Sequence, residues 1–207
     1  MISSPIYWQQ AITYLDSQDR IMSRLIQNYP GENLQNHHNA FYTLARAIVG
    51  QQISVKSADA IWSRFAALLP SISAKAYLQL TESQLRACGL SRQKIAYLFN
   101  IAIALEEKLL TPKKWDNLSE EEITKELTKI KGIGIWTAEM FLIFHLNRKD
   151  ILPLGDIGLI NAIQLHYSEQ EKLSLEEIKQ ISHTWRPYRT VATWYLWRSL
   201  DPVVVQY

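Results

Sequence analysis

The sequence predicts an all-α protein, and three observations carry that prediction. Apolar residues recur at three- and four-residue spacing along most of the chain. Period-2 alternation is hard to find, and no Asn-Gly or Asp-Gly pair is present to turn a hairpin of strands. Only seven Gly and seven Pro occur among 207 residues, nearly all where periodic runs stop or start.

Taken in order, Ile21, Leu25 and Ile26 give one helix face that ends at Pro30-Gly31. Phe41, Leu44, Ala45, Ile48 and Val49 give the next, with Asn39 as its cap. Val55, Ala58, Ile61, Phe65 and Leu68 follow, stopped by Pro70. Thr81 with Gln84 reads as a capping box for a short helix closed by Gly89. Ser91 opens a long helix through Ile95, Leu98, Ile101, Ile103 and Leu105, and Ser119 with Glu122 forms a second capping box before Ile123, Leu127 and Ile130. After a glycine-containing turn come helices over Trp136 to His145, Ile157 to His166, Leu175 to His183 and Tyr188 to Leu200.

The bulk properties exclude several classes. With 47% hydrophobic and 20% charged residues the chain is an ordinary globular sequence of one or two domains. One cysteine, Cys88, rules out a disulfide framework and fits a cytosolic or nuclear setting. The first twenty residues lack the basic flank and apolar run of a signal peptide, and no stretch approaches the roughly 18 apolar residues of a membrane span. Seven Trp and ten Tyr beside five Phe make the chain rich in flat rings with a polar edge.

The net charge of +2 says little about partners, but the charges are patterned. Glu120, Glu121, Glu122 and Glu126 crowd the start of one helix, where they suit its dipole. No acid lies between Glu82 and Glu106, where Arg86, Arg92 and Lys94 do; nor between Glu177 and Asp201, where Lys179, Arg186, Arg189 and Arg198 do. Such stretches read as solvated helix surface or as a basic face. His37 and His38, adjacent in a polar loop, read as solvent-exposed rather than metal-binding, and Cys88 as a small core residue.

The most informative segment is Lys129-Ile130-Lys131-Gly132-Ile133-Gly134-Ile135-Trp136-Thr137. A helix ends, two glycines frame one apolar residue, and a new helix begins at once. Gly132 and Gly134 allow close backbone approach, Ile133 can anchor the turn, and the opening N–H groups of the second helix attract anions. Lys129 and Lys131 stand beside that end. The same pattern also serves as a plain glycine turn between helices. Asp156 follows 22 residues after Gly134 in Leu-Pro-Leu-Gly-Asp-Ile-Gly-Leu, where it reads either as a helix N-cap or as a positioned carboxylate.

Gly132-Ile133-Gly134 with Asp156 in that context resembles the helix-hairpin-helix–Gly-Pro-Asp superfamily of DNA glycosylases. Ile48-Val49-Gly50-Gln51-Gln52-Ile53-Ser54, Gly134-Ile135-Trp136-Thr137-Ala138, and Trp185-Arg186-Pro187-Tyr188-Arg189 followed by Trp194-Tyr195-Leu196-Trp197 resemble its alkylation-repair branch, the DNA-3-methyladenine glycosylase II type. The match runs from about residue 40 to 201, in the family order.

The resemblance implies two helical subdomains with the active cleft between them: a central one over 40–150 carrying the hairpin, and a discontinuous one combining 1–39 with 151–207. It implies that Asp156 is catalytic and that Trp136, Trp197 and Tyr188 line the damaged-base pocket, while Trp62, Trp115 and Trp194 are left as core. Gln51, Gln52, Lys131, Gly132, Gly134 and Thr137 are implied to face DNA, Gln52 filling the gap left by the extruded nucleotide. Strand-cutting relatives carry a Schiff-base lysine where Trp136 stands, so the implied activity is monofunctional hydrolysis of alkylated purines such as 3-methyladenine and 7-methylguanine, without lyase activity. No cofactor is implied. An iron–sulfur cluster needs four cysteines, which Cys88 alone cannot supply, and a Na+ or K+ ion at the hairpin is implied through main-chain oxygens of Thr128, Ile130 and Ile133.

The implied partner is double-stranded DNA with damaged bases, met by a monomer that is cytoplasmic in a bacterium or nuclear in a eukaryote. Gln52 and Lys131 depart from the family's usual residues, and Met140, Ile157 and Gly158 stand in the implied pocket region where relatives carry larger groups. A glycosylase for deaminated or oxidised bases, or a non-catalytic DNA-binding module, would share most of these features.

Overall fold

The computed structural model describes residues 4–111, 115, 117–168 and 171–201; residues 1–3 and 202–207 of the expected discontinuous subdomain lie outside them. Among the described residues the structure is all-helical, with no strand. The chain divides into two compact units. Of the described residues, those in 4–36 and 147–201 form one and those in 37–146 the other.

The discontinuous unit begins with α1 (Trp8–Gln18) and α2 (Arg20–Asn28). Asp19 separates them, its Oδ1 accepting the N–H groups of Ile21 and Met22 as the cap of α2. The central unit follows with α3 (Ala40–Gly50), α4 (Val55–Ala67), α5 (Ala74–Tyr77), α6 (Glu82–Ala87), α7 (Arg92–Glu106), α8 (Glu120–Thr128) and α9 (Ile135–Phe144). Asn39 caps α3, and both expected capping boxes form, Thr81 with Gln84 and Ser119 with Glu122. Each such cap is worth about 1 kcal/mol. The chain then returns to the first unit through α10 (Ile157–Tyr167), α11 (Leu175–His183) and α12 (Arg189–Leu200). Helices α1 and α5 add to the expected set: α1 buries Trp8, Ala11 and Leu15 but has no side-chain cap, and α5 is a single turn opened by Ser73.

Two helices are buried on nearly every side and so become the axes of their units. Helix α9 buries Thr137, Ala138 and Met140 through Phe144, and packs against α3 and α8. Helix α12 buries Thr190 through Trp197 and packs against α1, α2 and α10. Trp185, Trp194, Tyr195 and Trp8 fill the core around it, with Trp8 edge-on to Trp194 at 5.3 Å.

Several side chains differ from their sequence-based reading. Trp62 is only half-buried, lying edge-on to Tyr42 with the Arg46 guanidinium 5.5 Å above its ring, whereas Trp115 and Trp194 are core. His37 is half-buried because its ring packs 4.1 Å from Tyr42, while His38 is exposed. Cys88, by contrast, is buried as its reading as a small core residue expects, and burial raises its thiol pKa.

Arg86 and Arg92 are exposed as expected, but other cations of the two stretches are engaged within the protein. Arg186 and Arg189 pair with Asp150, Arg198 pairs with Glu32, and the Lys94 ammonium donates to the Val49 carbonyl at 2.8 Å, where burial lowers its pKa. Among the described residues no helix is long and apolar enough to cross a membrane, and no three His, Cys, Asp or Glu side chains converge as metal ligands.

Candidate active site

The turn between α8 and α9 is built by its two glycines, which do different work. Gly132 has φ +112°, a conformation that L side chains rarely adopt, and a Cβ there would stand 2.4 to 2.7 Å from the Tyr97 ring. Its missing side chain therefore lets Tyr97 of α7 close against the turn. Gly134 is extended, is exposed, and has open space around its Cβ position. It is the N-cap of α9 and makes no side-chain cap hydrogen bond, which leaves the kind of helix end that attracts anions. Ile133, 4% exposed, anchors the turn between them.

The turn is braced from two sides. Asn100 donates to the Lys131 carbonyl at 3.0 Å, and Gln51 donates to the Gly132 carbonyl at 3.3 Å and to Thr137 Oγ1 at 3.0 Å. Gln51 thus directs both amide hydrogens into the protein, and Thr137 is buried. Tyr97 and Asn100 lie more than thirty residues from the turn in sequence, and nothing in the linear pattern marks them. The Lys131 side chain is exposed, and Trp136 is half-buried in the first turn of α9. Thr128 ends α8, and the main chain then runs through Ile130, whose carbonyl accepts the Ile133 N–H at 3.0 Å.

Gln52 is exposed and follows the C-terminus of α3 with φ +57°. That left-handed position after a helix usually belongs to glycine, and a side chain there costs about 1–2 kcal/mol. Such strain persists where the surroundings fix it, and it concentrates at functional positions.

In the other unit, Asp156 is the N-cap of α10 and is half-buried. Its Oδ1 accepts the Leu159 N–H at 2.7 Å and the indole N–H of Trp197 at 2.8 Å. Trp197 is buried on α12. Gly158 makes the approach feasible, since a Cβ there would lie 3.0 Å from Asp156 Oδ1 and 3.6 to 3.7 Å from the indole. Ile157 is 76% exposed beside them. The structure thus gives the carboxylate two fixed donors on one oxygen, an anchored anion able to stabilise a neighbouring positive charge.

Tyr188 is buried between Tyr7, nearly parallel at 6.4 Å, and Tyr14, edge-on at 5.5 Å, with the Lys149 ammonium 5.8 Å from its ring. Met140 is fully buried in α9. The sequence-predicted residues therefore gather into two groups: Gln51, Gly132 and Thr137 in the central unit, and Asp156 with Trp197 in the discontinuous one.

Residues 45–187 match the family model described as HhH-GPD superfamily base excision DNA repair protein. The chain is 35% identical over 190 residues to DNA-3-methyladenine glycosylase 1 of Schizosaccharomyces pombe, covering 89% of this chain and 83% of that one. It is 30% identical to the alkylbase DNA glycosidase-like protein mag2 of the same yeast, covering 92% and 93% of the two chains. The solved structure of the S. pombe 3-methyladenine DNA glycosylase in complex with abasic DNA superposes with a TM-score of 0.82 at 31% identity, over 96% of this chain and all of that one.

Proposed function

The chain belongs to the HhH-GPD superfamily of base excision DNA repair proteins, and from that premise we propose that it hydrolyses the N-glycosidic bond of alkylated purines in duplex DNA and leaves the strand uncut. The observation that carries this reading is the Asp156 carboxylate, held on one oxygen by the Leu159 N–H and the Trp197 indole.

As the bond from C1′ to the purine nitrogen breaks, its electron pair leaves with the base and positive charge builds on the sugar. A preorganised carboxylate beside C1′ stabilises that charge, and such groups contribute about 100- to 1000-fold to the rate. Water adds to C1′, and its proton passes to the carboxylate or to solvent. A purine methylated at N3 or N7 is already cationic, so it departs neutral without an added proton. The same charge favours stacking against electron-rich rings, the work proposed for Trp136 and Trp197; Tyr188, expected to share it, is instead enclosed by Tyr7, Tyr14 and Lys149.

The hairpin grips the phosphate backbone. Gly134 and the opening N–H groups of α9 face an anion, and the Lys131 ammonium adds a cationic contact. The main-chain carbonyls of Thr128, Ile130 and Ile133 would hold a monovalent cation here, and its charge would add to the pull of this end on an anionic backbone. Gln52, exposed and strained, fills the gap beside the extruded nucleotide. Trp136 supports the hydrolytic outcome, because it offers no amine to form a Schiff base with the sugar.

The test is release of 3-methyladenine and 7-methylguanine from methylated duplex DNA, followed by alkali to reveal abasic sites. Asp156→Asn should lower release by about 100-fold or more. Undiminished release would remove Asp156 from its role, and strand breaks before alkali would refute the monofunctional assignment.

A further inference from the structure

We infer that Asp150 and Arg189 are positioning residues that set where the Asp156 carboxylate stands; this inference rests on Asp156 being the catalytic group. The segment 148–151 is bound to the first two residues of α12 by a dense set of hydrogen bonds. Asp150 Oδ1 accepts from Arg189 Nε at 2.6 Å, Asp150 Oδ2 accepts from Arg189 Nη2 at 3.0 Å and Arg186 Nη1 at 3.1 Å, and the Asp150 carbonyl accepts from Arg189 Nη2 at 2.7 Å. Thr190 continues the seam. Its Oγ1 donates to the Arg148 carbonyl at 2.6 Å and accepts the Ile151 N–H at 3.0 Å, and its own N–H reaches the Lys149 carbonyl at 3.1 Å.

From this seam two stiff arms run to the site. One is the segment from Ile151 to Asp156, with Ile151 and Pro153 buried and two internal bonds, Leu154 N–H to the Leu152 carbonyl and Asp156 N–H to the Pro153 carbonyl. The other is α12 from Arg189 to Trp197, nine residues and about 12 Å of helix. The arms meet again where the Trp197 indole donates to Asp156 Oδ1. Two arms fastened at both ends form a closed frame, so slack at the Asp150 seam appears as displacement at Asp156. Misplacing a reacting group by 1 Å can cost about 100-fold in rate. The side chains of Arg189 and Asp150 are 19% and 22% exposed, and the bidentate fork fixes direction as well as distance.

The experiment measures the single-turnover rate constant for 3-methyladenine release, the Kd for an abasic duplex and the melting temperature, for wild type, Asp150→Asn, Arg189→Ala and Arg189→Lys. At a temperature where each variant is folded, Asp150→Asn and Arg189→Ala should slow release by about tenfold or more, with Kd within about twofold of wild type. Arg189→Lys should recover part of the rate, since a single ammonium keeps the charge but not the fork.

Wild-type release rates in the folded variants would overturn the inference, as would losses of Kd and rate in equal measure. If Asp150→Asn does not fold, Thr190→Val opens the same seam one residue on and is read in the same way. A wild-type protein that releases no base would instead refute the glycosylase reading, which separates the two failures.

Discussion

Trp197 donates its indole N–H to the same Asp156 oxygen that caps α10, so one carboxylate oxygen ties α10 to α12. The unit contains a second capping aspartate bonded to an indole. Asp19 caps α2 through Oδ1, while its Oδ2 accepts from Trp185 Nε1 at 3.0 Å and from the Tyr167 hydroxyl at 2.7 Å. At Asp19 the bonds are spread over both oxygens and staple the start of α2 to distant parts of the unit. At Asp156 the cap and the indole converge on Oδ1 and fix that oxygen between α10 and α12.

Trp197→Phe should separate orientation from packing. Phenylalanine keeps an aromatic ring but deletes the donor, and a hydrogen bond to a charged group is worth about 1.5–3 kcal/mol. Single-turnover release should fall by about tenfold or more with a smaller change in abasic-duplex affinity. A wild-type rate would show that the indole N–H does not position the carboxylate.

The two hairpin glycines should respond differently to alanine. Gly132→Ala meets both a left-handed backbone and the Tyr97 ring, and should lose at least about 2 kcal/mol in urea unfolding. Gly134→Ala meets neither, so its stability should stay within about 0.5 kcal/mol while DNA affinity falls, because the new methyl group stands where a phosphate would approach. Equal destabilisation by both would contradict this division of labour.

Lys131→Ala removes an exposed ammonium while leaving the Lys131 carbonyl on Asn100. Affinity should drop similarly on every duplex sequence, and the slope of log K against log salt should flatten by about one phosphate contact, near 0.9. Loss confined to particular flanking sequences would rule out a backbone contact.

Stability should decline in mild acid through His145. Burial at the end of α9, with a smaller contribution from His38, pushes its pKa from 6.5 down to about 4. The unfolded chain therefore binds the proton over the interval from about 6.5 to 4, and the folded chain does not. The folded state loses nothing above that interval and loses progressively more as the pH falls through it. Between pH 7.5 and pH 5 the loss from this group should be about 2 kcal/mol, and His145→Gln should remove that share of the pH dependence in denaturant titrations.

Much of the molecule was legible in the linear sequence because helix signals are local. The spacing of Phe41, Leu44, Ala45, Ile48 and Val49 predicts the buried face of α3, and the Thr81 and Ser119 boxes mark helix starts because both partners lie within one turn. The Gly132–Gly134 turn and the capping position of Asp156 were readable for the same reason. The cationic stretch after Glu177 was not. Its neutralising partners, Asp150 and Glu32, come from remote segments, so a one-dimensional charge count finds a surplus that folding removes.

The sequence by itself determined which segments are helices, where they cap, that the hairpin turn requires glycine, and that a carboxylate opens α10. All of these rest on interactions within a few residues. Only the tertiary structure decided that Gly132 yields to Tyr97, that Gln51 turns inward to the hairpin, and that Trp197 holds Asp156. Each of those joins residues from about 35 to more than 80 positions apart, and such contacts depend on how buried helices pack side by side, which no local pattern encodes.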